Sequence, residues 1–379
     1  MAVVKKEKEE EVNESIRIFS NILKANKDDH YNFEDTIYYK VPSTSMLMNS
    51  QMDGGLEPGA HRFIGAPSGG KTSAALDYML HFLKGNDDKF ERRGIYFRCE
   101  GKLSPNSQKR SGIKFVEKEE EWLDGTCIIV DSNVFEFVFQ MIRDLLQFNK
   151  AKCKYFFILD SLDMMAKKDD LAKPFADSQQ VASGAVLTSV FFKKVSIALS
   201  KRGHYCILIS QVRDTIKINT YEKTNPKQGA ASGGHAVEHA AGWVLDFQPR
   251  WETDIIREGD EKKAKPIGHY AKCKIVKSDN ESYLREIKYP IRYGQVDGKS
   301  VWREKEVLDL IEMWELIARP EGKGQMYYPN PNFINDLTRG GFTSEEKFRG
   351  IGAVGKWLDD NPAIVDFLSN DFRLRIEQG

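Results

Sequence analysis

Between Tyr38 and Tyr293, apolar runs of strand length alternate with stretches of helical period. The predicted strands are His61–Ile64, Gly94–Arg98, Thr126–Val130, Tyr155–Leu159, His204–Ser210, Gly242–Phe247 and Tyr270–Val276. Runs that are apolar on both faces, with helices between them, predict an α/β fold with a mostly parallel central sheet covered on both sides. Thr72–Leu83 reads as a helix closed by Gly85. Upstream, residues 1–12 read as a charged, frayed leader, and from Asn13 a helix is predicted. Val12, Ile16, Phe19 and Leu23 make one apolar stripe that stops at Asn26. A helix of this length needs a surface to lie on, either its own domain or a neighbouring subunit. Asp163–Ser178 and Asp214–Gly234 lack periodicity and are rich in Lys, Asp, Gly and Ser. Such stretches inside a domain are usually functional. A smaller α/β appendage begins near Lys305 and includes Ile351–Phe367. The pattern divides the chain into 1–37, 38–300 and 301–379.

The length of 379 residues and the 41% hydrophobic content allow a sizeable core. No apolar run reaches the ~18–20 residues of a membrane span, so no membrane association is expected. The first residues have no apolar signal core. The five cysteines, Cys99, Cys127, Cys153, Cys206 and Cys273, have no CxxC spacing. This excludes a zinc module or disulfide scaffold and predicts a reducing, cytoplasmic setting. With 56 basic and 56 acidic residues the net charge is zero. Any nucleic-acid surface must therefore come from local segments.

The strongest chemical signal is Gly65-Ala66-Pro67-Ser68-Gly69-Gly70-Lys71-Thr72, followed by Ser73. It fits GxxxxGK[ST] at every fixed position, between a strand end and a helix start. Glycines let backbone N–H groups curl around the β- and γ-phosphates of a nucleotide such as ATP. Lys71 adds a point charge, and the Thr72 hydroxyl can ligate Mg²⁺. Phe156–Leu159 runs into Asp160, a candidate for positioning Mg²⁺, with Ser161 in the same shell. Ile95–Cys99 runs into Glu100, a candidate for orienting or deprotonating water. Ile207–Ser210 runs into Gln211, which could sense the γ-phosphate and pass its presence to the irregular segment that follows. From Arg213 to His235, Arg213, Lys217, Lys223 and Lys227 outnumber Asp214 and Glu222. Ser232, Gly233 and Gly234 offer backbone N–H groups to a phosphate backbone, and Tyr221 could stack on a base.

The ordered set of Gly65–Thr72, Glu100, Phe156–Ser161, Ser210–Arg213 and Gly233–Ala236 resembles the RecA family of homologous-recombination ATPases, including the bacteriophage T4-type recombinases. Lys274–Lys277 with Glu286–Gly294 is similar to the family's last core strands. Gly350–Leu358 with Asn361-Pro362 is similar to the bacterial C-terminal subdomain. The resemblance covers about residues 38–370.

It implies a RecA-like phosphate-loop ATPase core with an N-terminal oligomerisation helix and a small C-terminal α/β subdomain. It implies that ATP is held by Gly65–Ser73 and Asp160, with Mg²⁺ held by Thr72 and Asp160. Glu100, Lys71, Gln211 and Lys277 would serve catalysis, with Lys277 reaching a neighbouring subunit's ATP. Arg213, Lys217, Tyr221, Lys223, Lys227, Ser232, Gly233, Gly234 and His235 would bind DNA, and Asp163–Ser178 would form a first DNA loop. The implied partners are single-stranded DNA, homologous double-stranded DNA, further copies in a helical filament that docks the stripe Val12–Leu23, and single-strand-binding and mediator proteins. The implied place is the cytoplasm, of a bacterial host if the chain is phage-encoded. Three positions depart from the bacterial pattern. The last residues are not an acidic tail, Lys277 is followed by Ser278-Asp279, and Val181–Ser200 lacks an arginine. A ring-forming helicase on the same core and a nucleotide-binding scaffold are the competing classes. The short segment before the core disfavours the first, and the pair Glu100 and Asp160 disfavours the second.

Overall fold

The computed structural model describes residues 2–85, 90–148, 153–172, 183–211, 234–259, 264–281, 285–321 and 324–378. Its strands are β1 Gly59–Gly65, β2 Glu91–Arg98, β3 Lys114–Val116, β4 Thr126–Val130, β5 Cys153–Asp160, β6 Tyr205–Ile209 and β7 Ala241–Phe247. They continue with β8 Ile255–Arg257, β9 Pro266–Lys277, β10 Glu286–Arg292, β11 Ile317–Ala318, β12 Met326–Pro329 and β13 Phe348–Arg349. Among the described residues ten strands form one sheet, in the order β10-β9-β7-β1-β6-β5-β2-β4-β3, with β8 beside β9. Strands β1 to β7 pair in parallel, and β8, β9 and β10 extend one edge antiparallel. All seven strands read from the sequence are present.

The centre of the sheet is apolar on both faces because both are covered. In β5, Phe156 and Ile158 join a core with Tyr78 and Phe82 of the helix Lys71–Leu83. Phe157 and Leu159 point the other way, into a core with Val138 and Phe139 of the helix Phe135–Phe148 and Val195 of the helix Ser183–Lys201. This alternation of side chains is the period of two that a strand imposes.

Two local expectations change. The N-terminal helix runs from Ala2 to Ala25, so the charged leader is part of it. Lys and Glu, which dominate residues 5–11, are good helix formers despite their polarity. Ile16 and Phe19 of the stripe remain exposed, as does the neighbouring Ile22, whereas Leu23 is half-buried, so most of the stripe is not packed on its own domain. The first irregular stretch contains a short turn at Leu162–Met164 and a helix at Lys168–Ala172.

After β10, the helices Arg303–Met313, Pro331–Arg339, Ile351–Asp360 and Pro362–Gln378 surround the small sheet β11-β12-β13. Their core includes Val307, Phe333, Leu358, Leu368 and Phe372, and it also takes in Met46. Glu306, 1% exposed, ties that core to the short helix Met46–Gln51. Its carboxylate accepts from the Ser45 hydroxyl and from the N–H groups of Met46 (2.9 Å) and Leu47 (3.3 Å). Burial pushes the Glu306 carboxyl from near 4.5 up to about 7, against the pull of those donors. The folded chain therefore holds this proton more tightly than the unfolded chain does. The stabilising contribution is full below the ordinary value and is lost as pH rises through about 7. The stability advantage of the native protein over Glu306→Gln is thus expected to shrink by roughly 1–3 kcal/mol between pH 5 and pH 8. Urea unfolding at several pH values measures it, and parallel curves for the two proteins would remove the linkage.

Candidate nucleotide site

The three polar positions read from strand ends and the phosphate loop lie along one edge of the sheet. Parallel pairing in register brings this about: Arg98 sits opposite Asp160, Leu159 opposite Leu208, and Phe63 opposite Ile209. The C-terminal edge of a parallel sheet is where open α/β folds bind ligands.

The phosphate loop follows β1. Gly65 has φ +133°, and a Cβ there would lie 2.1 Å from the Phe247 carbonyl oxygen, so only glycine fits. Gly70 (φ +108°) gives the second left-handed step and caps the helix Lys71–Leu83. The helix N-terminus therefore opens into the loop, where its partial positive charge favours anions. Ser68 takes φ +59° without being glycine, a cost that functional loops often carry. Lys71 is buried, and its Nζ donates to the carbonyls of Gly65 (2.9 Å) and Ala66 (2.8 Å). Burial lowers its pKa, while Asp160, Glu100, Asp163 and Asp246 act to keep the charge.

The Thr72 hydroxyl donates to Asp160 Oδ2 at 2.7 Å, and the Tyr96 hydroxyl donates to the same oxygen at 2.6 Å. Burial raises the Asp160 pKa, and these two donors oppose it. The peptide between Asp160 and Ser161 is cis. The Ser161 hydroxyl donates to Glu100 Oε1, and the Gln211 side-chain N–H donates to the same oxygen at 3.2 Å. The Gln211 backbone N–H donates to Asp163 Oδ2 at 2.6 Å. Lys71, Thr72, Asp160, Glu100 and Gln211 thus form one cluster linked by Asp160, Ser161 and Glu100.

A cavity of about 380 Å³ extends from Ser68, Gly70 and Thr72 to His269, Tyr293 and Ser300. The Nδ1 of His269 and the hydroxyl of Ser300 are buried there without a hydrogen-bond partner. Burial, then Arg250 and Arg110, push His269 down to about 4, so its ring is neutral at pH 7. A neutral imidazole offers one donor and one acceptor.

Lys277 stands apart from this cluster. Its Nζ donates to the carbonyls of Glu238 (2.8 Å), His239 (3.1 Å) and Ala241 (2.6 Å), closing the end of the helix Gly234–Ala240 in its own chain. Arg213, Lys217, Tyr221, Lys223, Lys227, Ser232 and Gly233 lie outside the described residues. Gly234 and His235 begin the helix Gly234–Ala240. Sequence reasoning missed Tyr96 and His269, and it read Asp163 only as the start of the first irregular stretch. For Tyr96 a signal existed, a hydroxyl-bearing residue in an otherwise apolar run four residues before Glu100.

Among the described residues no cluster of three or more His, Cys, Asp or Glu side chains is placed to hold a metal, and no helix is long and apolar enough to cross a membrane. All five cysteines are buried, and none forms a disulfide among the described residues.

A phosphate loop opening onto the carboxyl edge of a mostly parallel sheet, with two acids and a glutamine at neighbouring strand ends, defines a nucleotide-binding α/β core. No family model matches the chain. It is similar, however, to proteins named RecA from many bacteria. The one from Rippkaea orientalis is 23% identical over 343 residues, covering 89% of this chain and 83% of that protein. The one from Bifidobacterium breve is 22% identical over 337 residues, covering 87% and 72%. The one from Ruminococcus albus is 24% identical over 271 residues, covering 71% and 60%. Together with the core and the ordered motifs, these relatives support a RecA-family protein.

Proposed function

We propose that the chain is an ATP-dependent recombinase that assembles as a helical filament on single-stranded DNA and pairs it with homologous double-stranded DNA. The observation that carries this reading is the meeting of Lys71, Thr72, Asp160, Glu100 and Gln211 at one sheet edge, in a chain matched over most of its length by proteins named RecA. In this reading the N–H groups of Gly65–Ser73 and the Lys71 ammonium hold the phosphates of ATP. The cavity beyond them takes the nucleoside.

The oxygen pair of Thr72 and Asp160, joined at 2.7 Å, suits a hard divalent cation. Mg²⁺ held there would neutralise phosphate charge. Glu100 orients or deprotonates the attacking water, and Gln211 exchanges its bond to Glu100 for the γ-phosphate. A role for Lys277 at a neighbour's nucleotide would require it to leave its three carbonyls. DNA would be held by Arg213, Lys217, Lys223 and Lys227 through phosphates, by Tyr221 through stacking, and by Ser232, Gly233, Gly234 and His235. The first DNA loop would be Asp163–Ser178.

Self-assembly has two supports. One is the exposed stripe of Ile16 and Phe19 with the neighbouring Ile22. The other is an apolar groove of about 1150 Å³ along the helix Phe135–Phe148, lined by Phe137, Met141, Leu145, Phe148 and Tyr155. Single-strand-binding and mediator proteins are further proposed partners. The proposed place of action is the cytoplasm of a bacterium, the host if the chain is phage-encoded.

The test is ATP hydrolysis with and without single-stranded DNA across a salt series, with negative-stain electron microscopy of the same samples. Stimulated hydrolysis and salt-sensitive helical filaments are expected, with both activity and filaments lost in Lys71→Ala. Full hydrolysis without DNA, or closed rings, would overturn the recombinase reading.

A further inference from the structure

Arg62 lies in β1, on the strand that feeds the phosphate loop, and is 0% exposed. A guanidinium keeps its charge even where burial disfavours it, so its surroundings must supply anions. Among the described residues, Glu238 and Asp163 do so. Glu238 Oε1 stands 3.5 Å from the guanidinium, and the fields of Glu238 and Asp163 both act on it. Asp163 lies in the turn after β5. Its Oδ2 accepts from the Gln211 backbone N–H, and its Oδ1 is buried without a hydrogen-bond partner. Its field also reaches Lys71. A buried ion set is a weak source of stability, so its placement is the informative feature. Gln211 immediately precedes the segment 212–233, and Glu238 belongs to the helix that follows it. The buried cation of the strand before the phosphate loop thus pairs with the helix after that segment, and the turn after β5 holds the residue before it.

We propose that Asp163 is a positioning residue that holds the Gln211 backbone at the start of segment 212–233, while the pair of Arg62 and Glu238 holds the helix after it against β1, so that nucleotide occupancy sensed by the Gln211 side chain is passed into that segment. The tie at the Gln211 N–H fixes the point where the chain leaves β6, so that movement of the amide between Glu100 and a bound nucleotide turns the chain beyond that point and is not dissipated at the strand end. The inference rests on the recombinase reading, in which that segment binds DNA.

The readout is the ratio of single-stranded DNA affinities with a slowly hydrolysed ATP analogue and with ADP, measured by fluorescence anisotropy. Coupling of this kind is typically about 5–150-fold. Asp163→Ala is expected to lower the ratio about tenfold while nucleotide affinity without DNA stays within about threefold. Asp163→Asn, which keeps an oxygen for the Gln211 N–H, is expected to hold the ratio within about threefold of the native value. Glu238→Gln, at a half-exposed side chain, is expected to lower the ratio at least about threefold, with thermal unfolding as the check on folding. An unchanged ratio in Asp163→Ala or in Glu238→Gln overturns the proposal. So does an equal loss in Asp163→Asn, which would assign the effect to buried charge instead of the tie. If Asp163→Ala does not fold, the other two variants decide. A native protein without nucleotide–DNA coupling would sink the recombinase reading together with this inference, whereas coupling in the native protein that no variant alters sinks the inference alone.

Discussion

Glu100→Gln is expected to bind ATP with nearly native affinity and to hydrolyse it about 10²–10⁴-fold more slowly, the usual worth of a positioned general base. The side chain stands just past the end of β2, where Oε1 already accepts two hydrogen bonds, from Ser161 and Gln211. Those donors fix its orientation and leave the other oxygen to face a water. A glutamine of the same shape keeps one oxygen acceptor but cannot take a proton, and its amide would meet a donor on one side. The phosphate-binding groups, Lys71 and the loop N–H groups, are untouched, so binding and turnover should separate. Fluorescent-nucleotide titration and single-turnover hydrolysis measure the two, with thermal unfolding as the check on folding. Turnover within about threefold of native would place the base elsewhere.

The second large effect concerns assembly. Ile16 and Phe19, on the stripe of the helix Ala2–Ala25, are each 60% exposed, and the neighbouring Ile22 is 55% exposed. Burying three such side chains in a partner's apolar groove is worth on the order of 5 kcal/mol. Placing a carboxylate in that contact would remove the gain and add a desolvation cost. Ile16→Glu combined with Phe19→Glu is therefore expected to abolish assembly on single-stranded DNA and the stimulation of hydrolysis, while nucleotide binding and thermal stability stay nearly native. The stability expectation follows because Ile16 and Phe19 belong to none of the protein's apolar cores. Light scattering with and without DNA, followed by electron microscopy, reads the outcome. Undiminished filaments in the double variant would move the assembly surface off this helix.

Much of the site was legible because its residues sit at local landmarks. The phosphate loop carries its conformation in its residue types, since the left-handed steps at Gly65 and Gly70 are ones that glycine takes freely. Asp160, Glu100 and Gln211 each end an apolar run, and a strand that ends in a polar residue at the edge of a parallel sheet has a predictable place. The helix Lys71–Leu83 and the strands of the central sheet follow from period and run length alone. The start of the N-terminal helix was less legible, because a Lys/Glu-rich segment has helical propensity without an apolar stripe to announce it.

Residue types and periodicity thus specify the local chemistry: a phosphate loop, the acids and the glutamine that stand at strand ends, and a mostly parallel sheet to carry them. The tertiary structure alone decided which of these meet. Glu100 and Gln211 are 111 residues apart, and Thr72 and Asp160 are 88 apart, yet each pair shares a hydrogen bond. Nothing in the local pattern states that β1 lies between β6 and β7, or that Asp163 holds the Gln211 N–H while Arg62 draws on the fields of Asp163 and Glu238. Periodicity reports one backbone at a time. Partnership depends on strand order and register, and a shift of one residue would turn every side chain of a strand to the opposite face.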